Sequence, residues 1–440
     1  MSKRSKKVLT IMLVVVLTTV MTFGMTGCGK KAEVEAPKER AEQTQAAATA
    51  EKTAGEETGL KPEPGAKLKV WDSEGPEGEW LQEAIKKFTE QYGVEVTYEP
   101  VGHTDSTGKL QTDGPAKLGA DVFSAPHDHV GKLVASGLIY PNDVLKAEDY
   151  MDAAVQGTSY QGKWYGYPMA IETYALFYNK DLVKEPPKTF DELIAFSKQF
   201  NDVKNSKYGF MMEVGNFYFV YSFLAGYDGY VFGKNGTDVN DIGLNSAGAV
   251  EGAKFHQKLK EILPLNTADI NYDIKKGLFN EGKLAFNIDG PWAVKGHKDA
   301  GVNFGVAPLP LLPNGKHPAS FSGIRAFYVN SYTNYPNAAK LLAQFLSSKE
   351  MLTDRFKSTG QIPPRKDLLS DTAITSDPIA AAFLEQAQYA QAMPNVPEMA
   401  SVWGPMGTAL EENWNKGGDP KPILDNAVKS IKDALATQSK

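Results

Sequence analysis

Residues 166–180, GYPMAIETYALFYNK, constrain the chain more than any other stretch. Tyr165, Tyr167, Met169 and Ile171 alternate along it, and Tyr174, Leu176 and Tyr178 do so again, which is the period of an extended strand. Pro168 fits the start or the edge of such a strand, where no ladder hydrogen bond is lost. The segment reads as a strand that leaves one globular lobe and enters another. Glu172 sits in its middle. A carboxylate in so apolar a run must be solvated or hydrogen-bonded, and the wall of a wet cleft between two lobes supplies both. The alternative is the solvent face of an ordinary edge strand.

The amino terminus is read separately. Lys3, Arg4, Lys6 and Lys7 form a basic cap, and residues 8–25 are uncharged and mostly apolar. This run ends at Met25-Thr26-Gly27-Cys28, which resembles the lipobox of bacterial lipoproteins, with the Cys28 thiol as the nucleophile that takes up a diacylglyceryl group. Cys28 is the only cysteine, so an exported chain of this kind forms no internal disulfide. An uncleaved anchor at residues 8–25 would also leave residues from 29 onward outside the membrane. Residues 29–67, rich in Glu, Lys, Ala, Thr, Gln, Pro and Gly, carry only Val34 and Leu60 as sizeable aliphatics and read as a flexible tether.

The net charge is −6, and loss of residues 1–27, which hold four basic and no acidic residues, takes it to −10. That balance, with no basic patch interleaved with aromatics, argues against nucleic acid. The body from Lys67 onward is too long for one core and suits two domains. Its first part is a βαβ unit: residues 67–71 alternate, residues 80–92 place Leu81, Ala84, Ile85 and Phe88 on one helical face, and residues 94–98 alternate again. A further strand at 120–125 ends at Pro126-His127-Asp128-His129. Ligands of open α/β sheets gather at the carboxyl ends of strands, which singles out Asp128 and, after the first strand, Ser73, Glu74 and Gly75.

Beyond the crossing strand, Thr189-Phe190-Asp191-Glu192 predicts a capping box for a helix carrying Leu193, Phe196 and Phe200. An aromatic stretch at 216–230, a helix over 245–262, the strand-to-turn segment 278–292 and a strand at 304–307 follow, and residues 321–330 read as a second crossing. Helical patterns around 338–345, 380–389 and 422–436 complete the chain. Two crossings predict two discontinuous lobes and a hinge, a layout closed by a ligand that touches both sides.

Three segments, YPMAIETYALFYNKDLV, AFNIDGPW and AMPNVPEMASVW, resemble in sequence and order the matching segments of bacterial maltose and maltodextrin binding proteins of ABC importers. The resemblance covers nearly all of the body from 67 to 440. It implies an α/β fold of the periplasmic-binding-protein type, class II, with residues 67–171 and 325–374 in one lobe and 172–324 and 375–440 in the other. It also implies Asp128 and Glu172 as acceptors for sugar hydroxyls, Tyr218, Trp292 and Trp403 as platforms for glucose rings, and His129 and Glu74 at the same site. Carboxylates accept paired hydroxyls and aromatic faces stack on the C–H faces of sugars, so the set is chemically coherent. The segments depart from the enteric pattern at Ala125, His129, Gly404, Gly407 and Pro76, and the lost bulk implies a preference for longer α-1,4-glucans or another oligosaccharide such as a cyclodextrin. The implied role is a monomeric, lipid-anchored receptor on the outer face of a Gram-positive cell membrane, handing malto-oligosaccharide to a permease driven by a separate ATPase, without cofactor or metal.

Two other classes compete. Asp128 and Glu172 could be the acid and base of a glycoside hydrolase, but no nucleophile elbow, Walker loop, HExxH or CxxC accompanies them. His127-Asp128-His129 could suggest a metal, yet His103, His256, His297 and His317 form no ligand-spaced set with them. A surface adhesin would share the signal and tether but not a cleft lined with aromatics.

Overall fold

The computed structural model describes residues 59–438. The signal segment, Cys28 and the tether up to residue 58 lie outside the described residues. The folded body begins a little before the expected Lys67: Ala66 is buried, and the Glu63 carboxylate accepts the N–H groups of Asn337 and Ala338 at 2.8 and 3.0 Å, capping helix Pro336–Leu346.

The first sheet runs in the order Glu95–Pro100, Lys67–Asp72, Val122–Pro126, Phe321–Val329, with Tyr167–Glu172 on the far side of Phe321–Val329. The first three strands are parallel, as the βαβ reading requires, and Phe321–Val329 is antiparallel to Val122–Pro126 and to Tyr167–Glu172, while its start pairs in parallel with the short strand Gln391–Ala392. Helix Pro76–Tyr92 covers one face through Trp80, Leu81, Ala84, Ile85 and Phe88. It starts four residues earlier than the periodicity predicts, because Pro76 suits the first turn and Gly75 enters it at φ 80°, a conformation that favours glycine.

The second sheet has the order Phe304–Ala307, Ala175–Asn179, Leu284–Asp289, Tyr208–Met211. The stretch 166–180 is therefore two strands in two sheets, not one. The break falls at Thr173-Tyr174, where the Thr173 and Ser320 hydroxyls lie 2.9 Å apart and the Phe321 N–H donates to the Tyr174 hydroxyl at 3.3 Å. These bonds tie the outgoing crossing to the returning one. Pro168 lies on the edge strand, beside the register shift opposite Arg325 and Ala326. Helix Phe190–Phe200 is capped by Thr189, whose hydroxyl accepts the Glu192 N–H at 3.2 Å, but Glu192 reaches back to the Lys188 N–H at 2.7 Å, one residue beyond the reciprocal box expected. Among the described residues, no helix is long and apolar enough to cross a membrane.

Candidate ligand-binding site

Strands Lys67–Asp72 and Val122–Pro126 are parallel, and Arg325 lies opposite Pro126 on one side and Ala170 on the other. This register delivers Asp72, the turn His127–His129, Arg325 and Glu172 to one edge of the sheet. They form a buried polar floor. Arg325 donates to Asp72, to the Ser73 hydroxyl at 2.9 Å and to Glu77 Oε1 at 3.2 Å. Arg355, from helix Lys349–Thr359, lies 3.5 Å from Asp72 Oδ2, donates to Gln361 at 2.9 Å and stacks over Trp80 at 4.6 Å. Gln361 in turn donates to Glu77 Oε1 at 2.9 Å.

Two guanidinium groups thus face three carboxylates, and the carboxylates fare differently. Burial raises the pKa of Asp72, but Arg325, Arg355 and hydrogen bonds from Ser124 and the Ser73 N–H outweigh it and hold the group down at about 2. Glu172 stands at the end of the network. It is 6 % exposed, its Oε1 is 4.0 Å from Arg325 Nη1, and that oxygen has no hydrogen-bond partner. Burial pushes its pKa up to about 7; Arg325 and Arg355 pull it down, and the Glu77 and Asp128 charges push it higher.

Asp128 is buried in the turn that follows Val122–Pro126, and its Oδ2 accepts the Trp403 indole N–H at 3.2 Å. His127 is structural: the Ile324 N–H donates to its Nδ1 at 3.0 Å, so its Nε2 carries the proton and donates to the Met393 carbonyl at 3.0 Å. His129 is half-buried with Nδ1 2.8 Å from the Thr107 hydroxyl. Glu74 is exposed on the bend after the first strand, and its charge helps burial and Asp72 to raise the pKa of the Tyr98 hydroxyl.

That wall comes from the second group of elements. Asn216 caps helix Phe217–Gly226 by accepting the Tyr218 N–H at 3.0 Å, which fixes Tyr218 on the first turn. Trp292 lies in the turn Pro291–Ala293 at the carboxyl end of Leu284–Asp289. A Cβ on Gly290 would come within 2.1 Å of the Trp292 ring, so the indole folds over bare backbone there. Its centroid is 6.3 Å from that of Tyr218. Trp403 opens helix Trp403–Lys416, which packs on helices Pro420–Gln438, Ala247–Lys258 and Phe217–Gly226. Phe321, unremarked in the sequence, joins the rings: Tyr221 stacks on it at 3.7 Å, and Trp403 and Tyr218 lie at 5.9 and 6.1 Å. The Tyr218 hydroxyl is buried without a partner, and desolvation, then Glu172, Tyr174, Asp128 and Asp289, raises its pKa.

The structure thus gathers Asp128, Glu172, Tyr218, Trp292 and Trp403, with His129 beside Asp128, while Glu74 stands apart. Three features escaped sequence reading. Asp72, Arg325 and Arg355 form the polar floor, and Arg325 was concealed by the apolar run around it. Lys275, fully buried, pairs with Asp289 at 2.9 Å and Glu213 at 3.4 Å under the Phe219 ring, a triad beneath the aromatic wall. Ala125 is packed in the core with Trp71, Phe123 and Tyr328, so that position lies in the sheet interior. A separate groove of about 770 Å³, between helices Pro76–Tyr92, Val294–Asp299 and Lys349–Thr359, is lined by none of the predicted site residues.

Two α/β sheets joined by crossing strands, with a carboxylate floor facing an aromatic wall, define a two-lobe solute-binding protein. The family model for bacterial extracellular solute-binding proteins matches residues 83–382. A galactooligosaccharide-binding protein of Bacillus subtilis (strain 168) is 36% identical over 382 residues, 84% of this chain and 90% of the relative. A maltooligosaccharide ABC transporter solute-binding lipoprotein of Streptococcus pneumoniae (strain ATCC BAA-255 / R6) is 34% identical over 383 residues, 84% and 88% respectively. The crystal structure of a cyclo/maltodextrin-binding protein complexed with maltotetraose is 40% identical with a TM-score of 0.71, covering 84% of this chain and 97% of that one. The chain belongs to the bacterial extracellular solute-binding protein family, whose members are binding receptors and not enzymes.

Proposed function

We propose that this protein captures malto-oligosaccharides outside the cell and delivers them to the permease of an ABC importer powered by a separate ATPase. The observation that carries the reading is the meeting of Asp128 with Trp403, a buried acceptor against an aromatic platform, with Glu172, Tyr218 and Trp292 around them. A hydroxyl-rich, C–H-faced ligand matches both surfaces. The lobes divide at 67–171 with 325–374 and 172–324 with 375–440, except that residues 391–397 pack on the first lobe, and closure is driven by the ligand binding the closed state better than the open one. A Cβ added at Gly404 would meet nothing within 4 Å, and at Gly407 only a backbone oxygen at 4.0 Å, so space remains beside Trp403 for additional rings and the preferred ligand is longer than maltose. Cys28 carries the lipid that holds this monomer on the outer face of the membrane. The 36% identity to a galactooligosaccharide-binding protein supports a second reading, in which the same cleft holds a galactoside chain.

Calorimetric titration with maltose, maltotriose, maltotetraose and longer dextrins, beside galacto-oligosaccharides and cellobiose, separates them. Saturable one-to-one binding of α-1,4-glucans, tightening with length beyond maltose, is expected. Binding of galacto-oligosaccharides alone would replace the ligand and leave the receptor in place.

A further inference from the structure

Arg325 lies within 4.0 Å of three carboxylates of the floor, those of Asp72, Glu77 and Glu172. Its strand pairs with the crossing strand so that Gly323, two residues away and on the same face, lies opposite Glu172. The guanidinium donates to Asp72, Glu77 and Ser73, and it stands 4.0 Å from Glu172, too far for a hydrogen bond. It therefore attracts the Glu172 carboxylate without consuming the oxygen's lone pairs. We infer that Arg325 is a positioning residue that fixes Glu172 as a double acceptor for ligand hydroxyls. This rests on the reading of Glu172 as a ligand-facing group.

A pH dependence follows from the groups around Glu172. Arg325 faces it from the return strand, Glu77 from helix Pro76–Tyr92, Arg355 from helix Lys349–Thr359, Asp128 from the turn His127–His129 and the Tyr218 hydroxyl, kept neutral by its raised pKa, from helix Phe217–Gly226. Burial makes the ionised form costly, and Arg325 is the strongest influence holding the proton off. A protonated Glu172 loses the charge that strengthens its bonds to hydroxyls. Ligand affinity falls in acid, and removing Arg325 moves that fall to higher pH.

The test is titration of the full chain with maltotetraose from about pH 5 to about pH 9 for the natural protein, Glu172→Gln, Arg325→Met, Arg325→Lys and the Glu172→Gln, Arg325→Met pair. The natural protein loses about tenfold in affinity on the acid side of a midpoint near neutrality. Arg325→Met raises the midpoint by about one pH unit or more, Arg325→Lys returns it most of the way, and both Glu172→Gln chains give flat profiles. If Arg325→Met does not fold, Arg325→Lys and the carbon-13 titration of the Glu172 carboxyl in the natural protein take its place. A flat profile for the natural protein, or an Arg325→Met chain that keeps the natural midpoint, overturns the inference. Absence of binding at every pH overturns the ligand assignment instead.

Discussion

Glu172 destabilises the unliganded protein where it stands. Its folded pKa, about 7, lies above the ordinary 4.5, so the stability linked to its proton is fully present below pH 4.5 and is lost as pH rises through 7. Glu172→Gln removes a charge that the folded state holds at a cost near neutrality and above. The variant is expected to gain about 2 to 3 kcal/mol over the natural protein in urea unfolding at pH 8, and to keep only a fraction of that at pH 5. The same change is expected to weaken maltotetraose binding. A variant less stable at pH 8 would show that the Arg325 contact outweighs the desolvation. Glu172 was legible in the sequence because a carboxylate amid Tyr, Met, Ile and Leu is conspicuous. Its partners were not: Arg325 and Asp72 lie in apolar runs of their own, and local pattern does not say which strand edges will meet.

At the scale of elements, the site depends on a segment that the sequence reading assigned to the second lobe. Met393 donates its N–H to the Ser322 carbonyl, and the Asn395 side chain donates to the carbonyls of Gln156, Gly157 and Ser159 at 2.9–3.1 Å. The Gly131 N–H donates to the Asn395 carbonyl at 3.2 Å, and a Cβ at Gly131 would approach that oxygen to 2.5 Å and Pro397 to 2.8 Å. The segment leads through Pro397–Ser401 into Trp403. Gly131→Ala therefore pushes the segment off the helix Val130–Ala135 and carries Trp403 with it. The expected cost is about 1 to 3 kcal/mol in unfolding free energy, with weaker maltotetraose binding alongside. Unchanged affinity in a destabilised variant would uncouple the docked segment from the platform. The main strands and the order of elements were readable from periodicity, and the rings named by the resemblance lie near one another, but the aromatic stretch 216–230 was not read as the helix Phe217–Gly226 that it forms. The docking of residues 391–397 was not readable, since it rests on partners distant in sequence: backbone bonds to Ser320 and Ser322, the His127 ring, the Asn395 amide and the missing Cβ of Gly131. Nor was the break at Thr173-Tyr174 read, although the alternation changes phase there, from odd positions up to Ile171 to even positions from Tyr174.

For the molecule as a whole, the bond from Trp403 to Asp128 joins the helices around the second sheet to the carboxyl end of the first. It takes one oxygen, Oδ2, of the carboxylate proposed as a sugar acceptor, so ligand and indole share that carboxylate while both draw the two sides together. A net contribution of about 1 kcal/mol shifts an open–closed equilibrium about fivefold. Trp403→Phe keeps a ring for stacking and removes the N–H. The unliganded variant is then expected to show a larger radius of gyration by small-angle scattering than the natural protein, and saturating maltotetraose brings both to the same value. Equal unliganded radii would mean that the bond does not hold the two sides together. If neither chain contracted with ligand, hinge closure itself would be excluded. If only the variant contracted, the indole bond alone would be enough to hold the unliganded protein closed, and the sugar would enter by displacing it.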